Sequence, residues 1–136
     1  MKLIVFTDLN NGMLFNNRRQ SRDKALIEHI YDFVGRNKIW ITLFSEDLFK
    51  NKKYNLFEIN SIGEIGEDDF VFIENYSPKI LEKRLNEIVL FNWNRAYPAD
   101  LFFDISLEDW YLEDEIEIKG FSHEKISRKI YKRKGE

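Results

Sequence analysis

Residues 101–134 read LFFDISLEDWYLEDEIEIKGFSHEKISRKIYKRK, and they set the architecture more than any other part of the chain. Three β-prone runs follow one another at 101–105, 110–119 and 124–134, separated only by turns at 106–109 and 120–123. Neither gap holds the dozen or so residues that a crossover between parallel strands requires, so the runs predict antiparallel additions at a sheet edge. In the last run Ile126 and Ile130 stand four apart, as on a helix, while Ile126, Arg128 and Ile130 also alternate, as on a strand. The strand is preferred because it completes a hairpin with the acidic run before it. Lys125, Arg128, Lys129, Lys132, Arg133 and Lys134 then face Glu113, Asp114, Glu115 and Glu117, as opposite charges do across paired strands. A basic tail neutralised in this way is not a nucleic-acid surface.

Upstream, strands and helices alternate. Residues 2–7 (KLIVFT) predict a buried strand, closed by Asp8 and by the turn-forming Asn10-Asn11-Gly12. A polar loop to about Gln20 leads to Ser21, read as a helix N-cap with Asp23 in the first turn. Leu26, Ile27, Ile30, Phe33 and Val34 keep helical spacing up to a stop at Gly35. Further strands are predicted at 38–44, 56–59, 70–74 and 88–92. A short helical turn is expected after Ser45, and a helix is expected to open at Ser77-Pro78. Such alternation implies βαβ crossovers and a mostly parallel sheet flanked by helices, a three-layer α/β domain over residues 1–136.

Composition narrows the class. With 136 residues, 43% apolar and 15% aromatic, the chain matches one domain able to build a core without disulfide or metal. A net charge of −3 argues against a general nucleic-acid binder, and the absence of cysteine excludes thiol chemistry. No apolar run approaches the roughly 20 residues of a membrane span. The opening residues turn polar too early for a secretory leader. The expectation is a cytoplasmic protein with no membrane partner and no metal ligand set.

The order of elements resembles the dihydrofolate reductase fold. Asp8-Leu9-Asn10-Asn11-Gly12-Met13 resembles the family's first strand followed by a mobile loop, and Asp23 stands close to where the family carries its active-site carboxylate. Glu87–Leu90, Asp100-Leu101-Phe102-Phe103 and Asp109-Trp110 resemble its late strand, its Asp-x-x-Phe strand and the Trp that follows. The resemblance implies a pterin- or nucleotide-like ligand, NADPH as cofactor, Asp23 as the acid and residues 11–17 as a lid. The sequence departs from the family where cofactor phosphates would be held. Leu43-Phe44-Ser45-Glu46 replaces a Gly-Arg-x-Thr turn, Glu74-Asn75-Tyr76 replaces a Gly-Gly turn, and Arg18-Arg19 replaces Pro-Trp. The Asn11-Gly12-Met13 to Asn17-Arg18-Arg19 opening also resembles short proteins that carry a ribonuclease Z label. A two-metal nuclease needs a dense His/Asp set, and this chain has two histidines, His29 and His123.

Three constellations are candidates for chemistry. Asp23 is either a desolvated acid or a solvated helix-start charge. Arg18, Arg19 and Arg22 around Ser21 either form an anion site at a helix start or are exposed loop residues. In Asn92-Trp93-Asn94-Arg95-Ala96-Tyr97-Pro98, Trp93 and Tyr97 are placed to stack a planar ring while Arg95 reads its edge. The preferred alternative, which the resemblance implies, has this stretch and Asp100 bracing the loop at Asn10, Asn11, Gly12 and Met13. His29 and His123 are read as surface or boundary residues. The reading is a small-molecule-binding protein of reductase-like fold for a planar anionic ligand, with or without hydride transfer. Its alternatives are a non-catalytic module with a protein partner, and a nuclease or a partner of one.

Overall fold

Lys2–Thr7 forms β1, whose side chains alternate between two buried faces of a central sheet. Leu3 and Val5 point into one core and Ile4 and Phe6 into the other. A computed structural model describes residues 1–135. In chain order the remaining elements are β2 (Gly12–Phe15), β3 (Arg18–Arg19), α1 (Lys24–Val34), β4 (Lys38–Ile41), α2 (Glu46–Phe49), β5 (Asn55–Glu58) and β6 (Phe70–Phe72). They are followed by β7 (Glu87–Asn92), β8 (Leu101–Phe102), β9 (Trp110–Ile118) and β10 (Ile126–Arg133).

The main sheet has seven strands in the order β5-β4-β6-β1-β7-β10-β9. The five from β5 to β7 are parallel, and β10 runs antiparallel to both β7 and β9. The predicted mostly parallel sheet with a C-terminal antiparallel hairpin is therefore present, and residues 126–133 are strand, not helix. Arg128 meets Asp114 at 3.0 Å and Lys125 meets Glu117 at 3.7 Å across that hairpin.

Helix α1 covers one face by inserting Leu26, Ile30 and Val34, all fully buried. Each such burial contributes about 1.5–3 kcal/mol. Gly35 ends it at φ 55°, its N–H bonding the Tyr31 carbonyl, a conformation that favours glycine. The opposite face is covered by a 3-10 helix at Pro78–Arg84, through Leu81 and Leu85, and by Phe103, Ile105 and Trp110.

Several local expectations are corrected. The N-cap of α1 is Asp23, not Ser21: Asp23 is extended (φ −146°) and its carboxylate accepts from the Ala25 and Leu26 N–H groups. The strand expected at 38–44 stops at Ile41, because Leu43–Ser45 turns into a 3-10 helix. The segment to Gln20 is no polar loop but a hairpin of β2 and β3, turned by Asn16 and Asn17 at φ 51° and 58°. Asn tolerates that left-handed conformation better than most residues. The run at 101–105 does not join the main sheet; its first two residues pair with β2 in a second sheet ordered β3-β2-β8.

Candidate functional site

The carboxyl ends of β1, β4, β5, β6 and β7 form a rim, the end of an open α/β sheet where ligands bind. Three buried charged networks and several clefts occupy it. At the end of β1, Asp8 is 1% exposed and accepts from the N–H groups of Gly12 (2.7 Å), Asn10 (2.8 Å) and Tyr97 (3.0 Å), and from Gln20 Nε2 (3.2 Å). Burial pushes its carboxyl pKa up, but the donors outweigh it and hold the pKa below the usual range. A Cβ on Gly12 would stand 2.6 Å from Ala99 Cβ, so this approach requires glycine. Leu9 N–H donates to the Arg95 carbonyl, Phe103 N–H to Asn11, and Asn16 N–H to Asp100 Oδ2. Residues 92–100 thus brace the hairpin.

Arg19 carries the second network. Its Nε and Nη2 donate to Glu74 at 2.7 and 2.6 Å, and Nη1 and Nη2 to Asp47 at 3.2 and 3.1 Å. Ser45 Oγ donates to the same Glu74 at 2.6 Å. Burial works against the charged guanidinium, yet the two carboxylates raise its pKa above the ordinary arginine value. Arg22 reaches Asp47 at 3.5 Å.

The third network joins the start of α1 to the β9–β10 turn. Asp23 Oδ1 accepts from Ala25, Leu26 and Phe121 N–H groups. Oδ2 accepts from Ser122 and His123 N–H, from Ser122 Oγ, and from His123 Nδ1 at 2.9 Å. Burial raises its pKa; the Phe121, His123, Ser122 and Leu26 donors outweigh that and hold it well below the carboxylate range. His123 Nε2 lies 2.9 Å from Ser21 Oγ and 3.1 Å from the Tyr97 hydroxyl, and Trp93 stacks on the ring at 4.6 Å.

Beside these lies a cleft of about 420 Å³, between the ends of β4, β5 and β6 and the 3-10 helix at Pro78–Arg84. Its walls are Leu43, Phe44, Ile59, Ile62, Ile65, Ile73, Tyr76, Ile80 and Leu81; its polar groups come from Thr42, Glu58, Asn60, Ser61 and Asn75. Thr42 Oγ1 donates to Asn75 Oδ1 at 3.1 Å across two strand ends. Leu43, Tyr76 and Ile80 are more than half exposed on its rim.

No family model matches the chain, and no curated protein does. Among solved structures it is similar to dihydrofolate reductase from Enterococcus faecalis complexed with NADP(H) and RAB-propyl, with a TM-score of 0.73 over 98% of this chain and 95% of that one. The fold is that of dihydrofolate reductase. At 11% identity the likeness to the reductase extends to the fold alone.

On this reductase fold the residues singled out from the sequence do not assemble as expected. Asp23 is 2% exposed, and both its oxygens are engaged by donors from α1 and the β9–β10 turn. Arg19 is consumed by Glu74 and Asp47, Arg22 pairs with Asp47, and Arg18 is exposed in the hairpin, so the three do not converge on an anion. Residues 11–17 form a braced hairpin rather than a free lid. Met13 and Trp93 are buried in the two cores, Arg95 offers its carbonyl to Leu9, and Asn11 and Gly12 belong to the Asp8 turn. None of these residues lines that cleft, but Trp93 and Arg95 line another, of about 440 Å³, together with Asn94, Lys125 and Ser127. His123, read as a surface or boundary residue, is 4% exposed at the centre of the third network.

Proposed function

We propose that this is a small-molecule-binding protein whose ligand seats in the cleft beyond β4, β5 and β6. One observation carries the reading: about 420 Å³ of mostly apolar space at the carboxyl ends of three neighbouring parallel strands, the place where such folds take ligands. Phe44 and Tyr76 supply aromatic side chains to its lining, and Thr42, Asn60 and Asn75 supply donors and acceptors. The lining has one carboxylate, Glu58, and no lysine, arginine or histidine. The chemistry suits a flat uncharged heteroaromatic of the pterin kind, not an anion.

The nicotinamide dinucleotide of the E. faecalis reductase is tested against the same residues. A pyrophosphate needs cations or the free N–H groups of a helix start. Helix α2 begins with Glu46 and Asp47, and the strand ends around the cleft present Glu58 and Glu74. These residues do not fit the dinucleotide, and no hydride-transfer step is derived for this chain.

The reading is tested by titrating the protein separately with a neutral pterin and with NADPH, following backbone amide shifts and the melting temperature. The pterin is expected to shift the amides of Ile59, Ile62 and Tyr76 and to raise Tm, by about 2.7 kcal/mol of stabilisation at 100-fold over Kd. NADPH is expected to leave them unchanged, and Ile59→Arg to abolish the pterin response. A pterin that moves none of these amides would overturn the proposal.

A further inference from the structure

Apart from the cleft, the third network arranges a hydroxyl, an imidazole and a carboxylate in series. Ser21 Oγ is 2.9 Å from His123 Nε2, and His123 Nδ1 is 2.9 Å from Asp23 Oδ2. An ionised Asp23 keeps the ring proton on Nδ1 and leaves the Nε2 lone pair toward Ser21, the tautomer a general base needs. The imidazole is fixed from every side. Trp93 stacks on it with planes 30° apart, its own N–H bonds Asp23, and Ser122 Oγ lies 3.2 Å from Nδ1. Gly120 permits the turn to close this tightly, because a Cβ there would stand 2.3 Å from the His123 carbonyl oxygen and 2.8 Å from Asp23 Oδ2. A clamp between α1 and the hairpin needs only the Asp23 side of that ring. The other nitrogen is turned to a hydroxyl that is only partly buried, with the Tyr97 hydroxyl 3.1 Å from Nε2 and 3.4 Å from Ser21 Oγ.

We propose that Ser21 is an activated nucleophile that accepts small acyl groups from activated esters, with His123 as its base and Asp23 as the positioning residue. Ser21 Oγ attacks the ester carbonyl as its proton passes to His123 Nε2. The tetrahedral adduct collapses with cleavage of the bond to the leaving alkoxide, which takes the proton from the imidazolium. Water releases the acyl group by the same route: its proton goes to Nε2, the bond to Ser21 breaks, and the proton returns to the serine.

The test incubates the full chain with p-nitrophenyl acetate, quenches in acid at early times before the acyl group turns over, and maps acetylation by peptide mass. General-base assistance contributes about 10²–10⁴-fold, so Ser21 is expected to acetylate at least about 100-fold faster than the exposed Ser61 and Ser106 in the same molecule. His123→Asn keeps a side-chain donor for Asp23 and removes the base; with a wild-type-like melt, it is expected to bring Ser21 down to the rate of Ser61. A Ser21 that reacts no faster than Ser61 in the wild-type chain would overturn the proposal, and this comparison decides even if the variant does not fold. So would an unchanged Ser21 rate in folded His123→Asn.

Discussion

Replacing Asp23 by Asn separates a helix cap from a buried charge that pins two distant segments. The amide oxygen can still face Ala25, Leu26 and Phe121, so most of the cap, worth about 1 kcal/mol, survives. The other position becomes an NH2 against the Ser122 and His123 N–H groups, which the carboxylate accepts at 2.9 and 3.1 Å. Each buried donor left without an acceptor costs about 1–3 kcal/mol, and partial relaxation of the turn leaves an expected loss of about 3 kcal/mol. That is a large share of the roughly 5–15 kcal/mol of a typical domain. The sign of the pH dependence follows from the lowered folded-state pKa of Asp23. The unfolded chain binds the proton more readily, so the contribution is fully present above the unfolded pKa, near 3.9. It is lost as pH falls through the folded value. Urea unfolding followed by circular dichroism at pH 7 and pH 3 measures both parts. Asp8 and Asp47 also have lowered pKa values, but they are common to both proteins and cancel in the difference. A loss under about 1 kcal/mol at pH 7, or a difference that does not narrow in acid, would refute the reasoning.

Two further perturbations address the rest of the rim. Arg19→Met leaves Glu74, 3% exposed, without its guanidinium, and is expected to cost about 3–5 kcal/mol in urea unfolding, whereas Arg19→Met combined with Glu74→Met recovers most of it. Gly12→Ala places a methyl 2.6 Å from Ala99 Cβ and 3.0 Å from Asp8 Oδ1, and is expected to destabilise by about 1–3 kcal/mol through overpacking, read as a lowered Tm.

The parallel strands, α1 and the final hairpin were legible because each is written in local pattern. Lys2–Thr7 carries four apolar residues in a row, Leu3 to Phe6, as a strand buried on both faces does. Leu26, Ile30 and Val34 share one helical face. Short charged or glycine-bearing turns set the register of β9 and β10. The β2–β3 hairpin was less legible: β3 is two residues long and carries two arginines, so it has no strand signature. Its one signal is the pair Asn16-Asn17, which suits a two-residue turn with positive φ. The site was hardly legible at all. Asp23 and His123 meet across 100 positions, and Arg19 and Glu74 across 55. Nothing local to His123 announces its burial, which results from the turn after Gly120 folding onto the start of α1.

The Arg19 network also explains how the β2–β3 hairpin is held against the rim of the main sheet. Arg19 extends from β3 across the rim to Glu74 after β6 and Asp47 in α2, so the hairpin is tied to the strand ends by the chain's own charges. A bidentate guanidinium–carboxylate pair is geometrically specific, and its burial makes any partial opening costly, since the exposed alternative leaves Glu74 unpaired. The space above β1 is therefore filled by protein, with Phe6, Phe72 and Phe49 packed edge to face beneath. The margin beyond β4, β5 and β6 stays open, with apolar walls and Glu58 as the one charge in its lining. On the proposed reading, a ligand entering there meets aromatic and amide side chains but no cation among the lining residues. On that same reading, charge more than shape is the property by which this cleft selects.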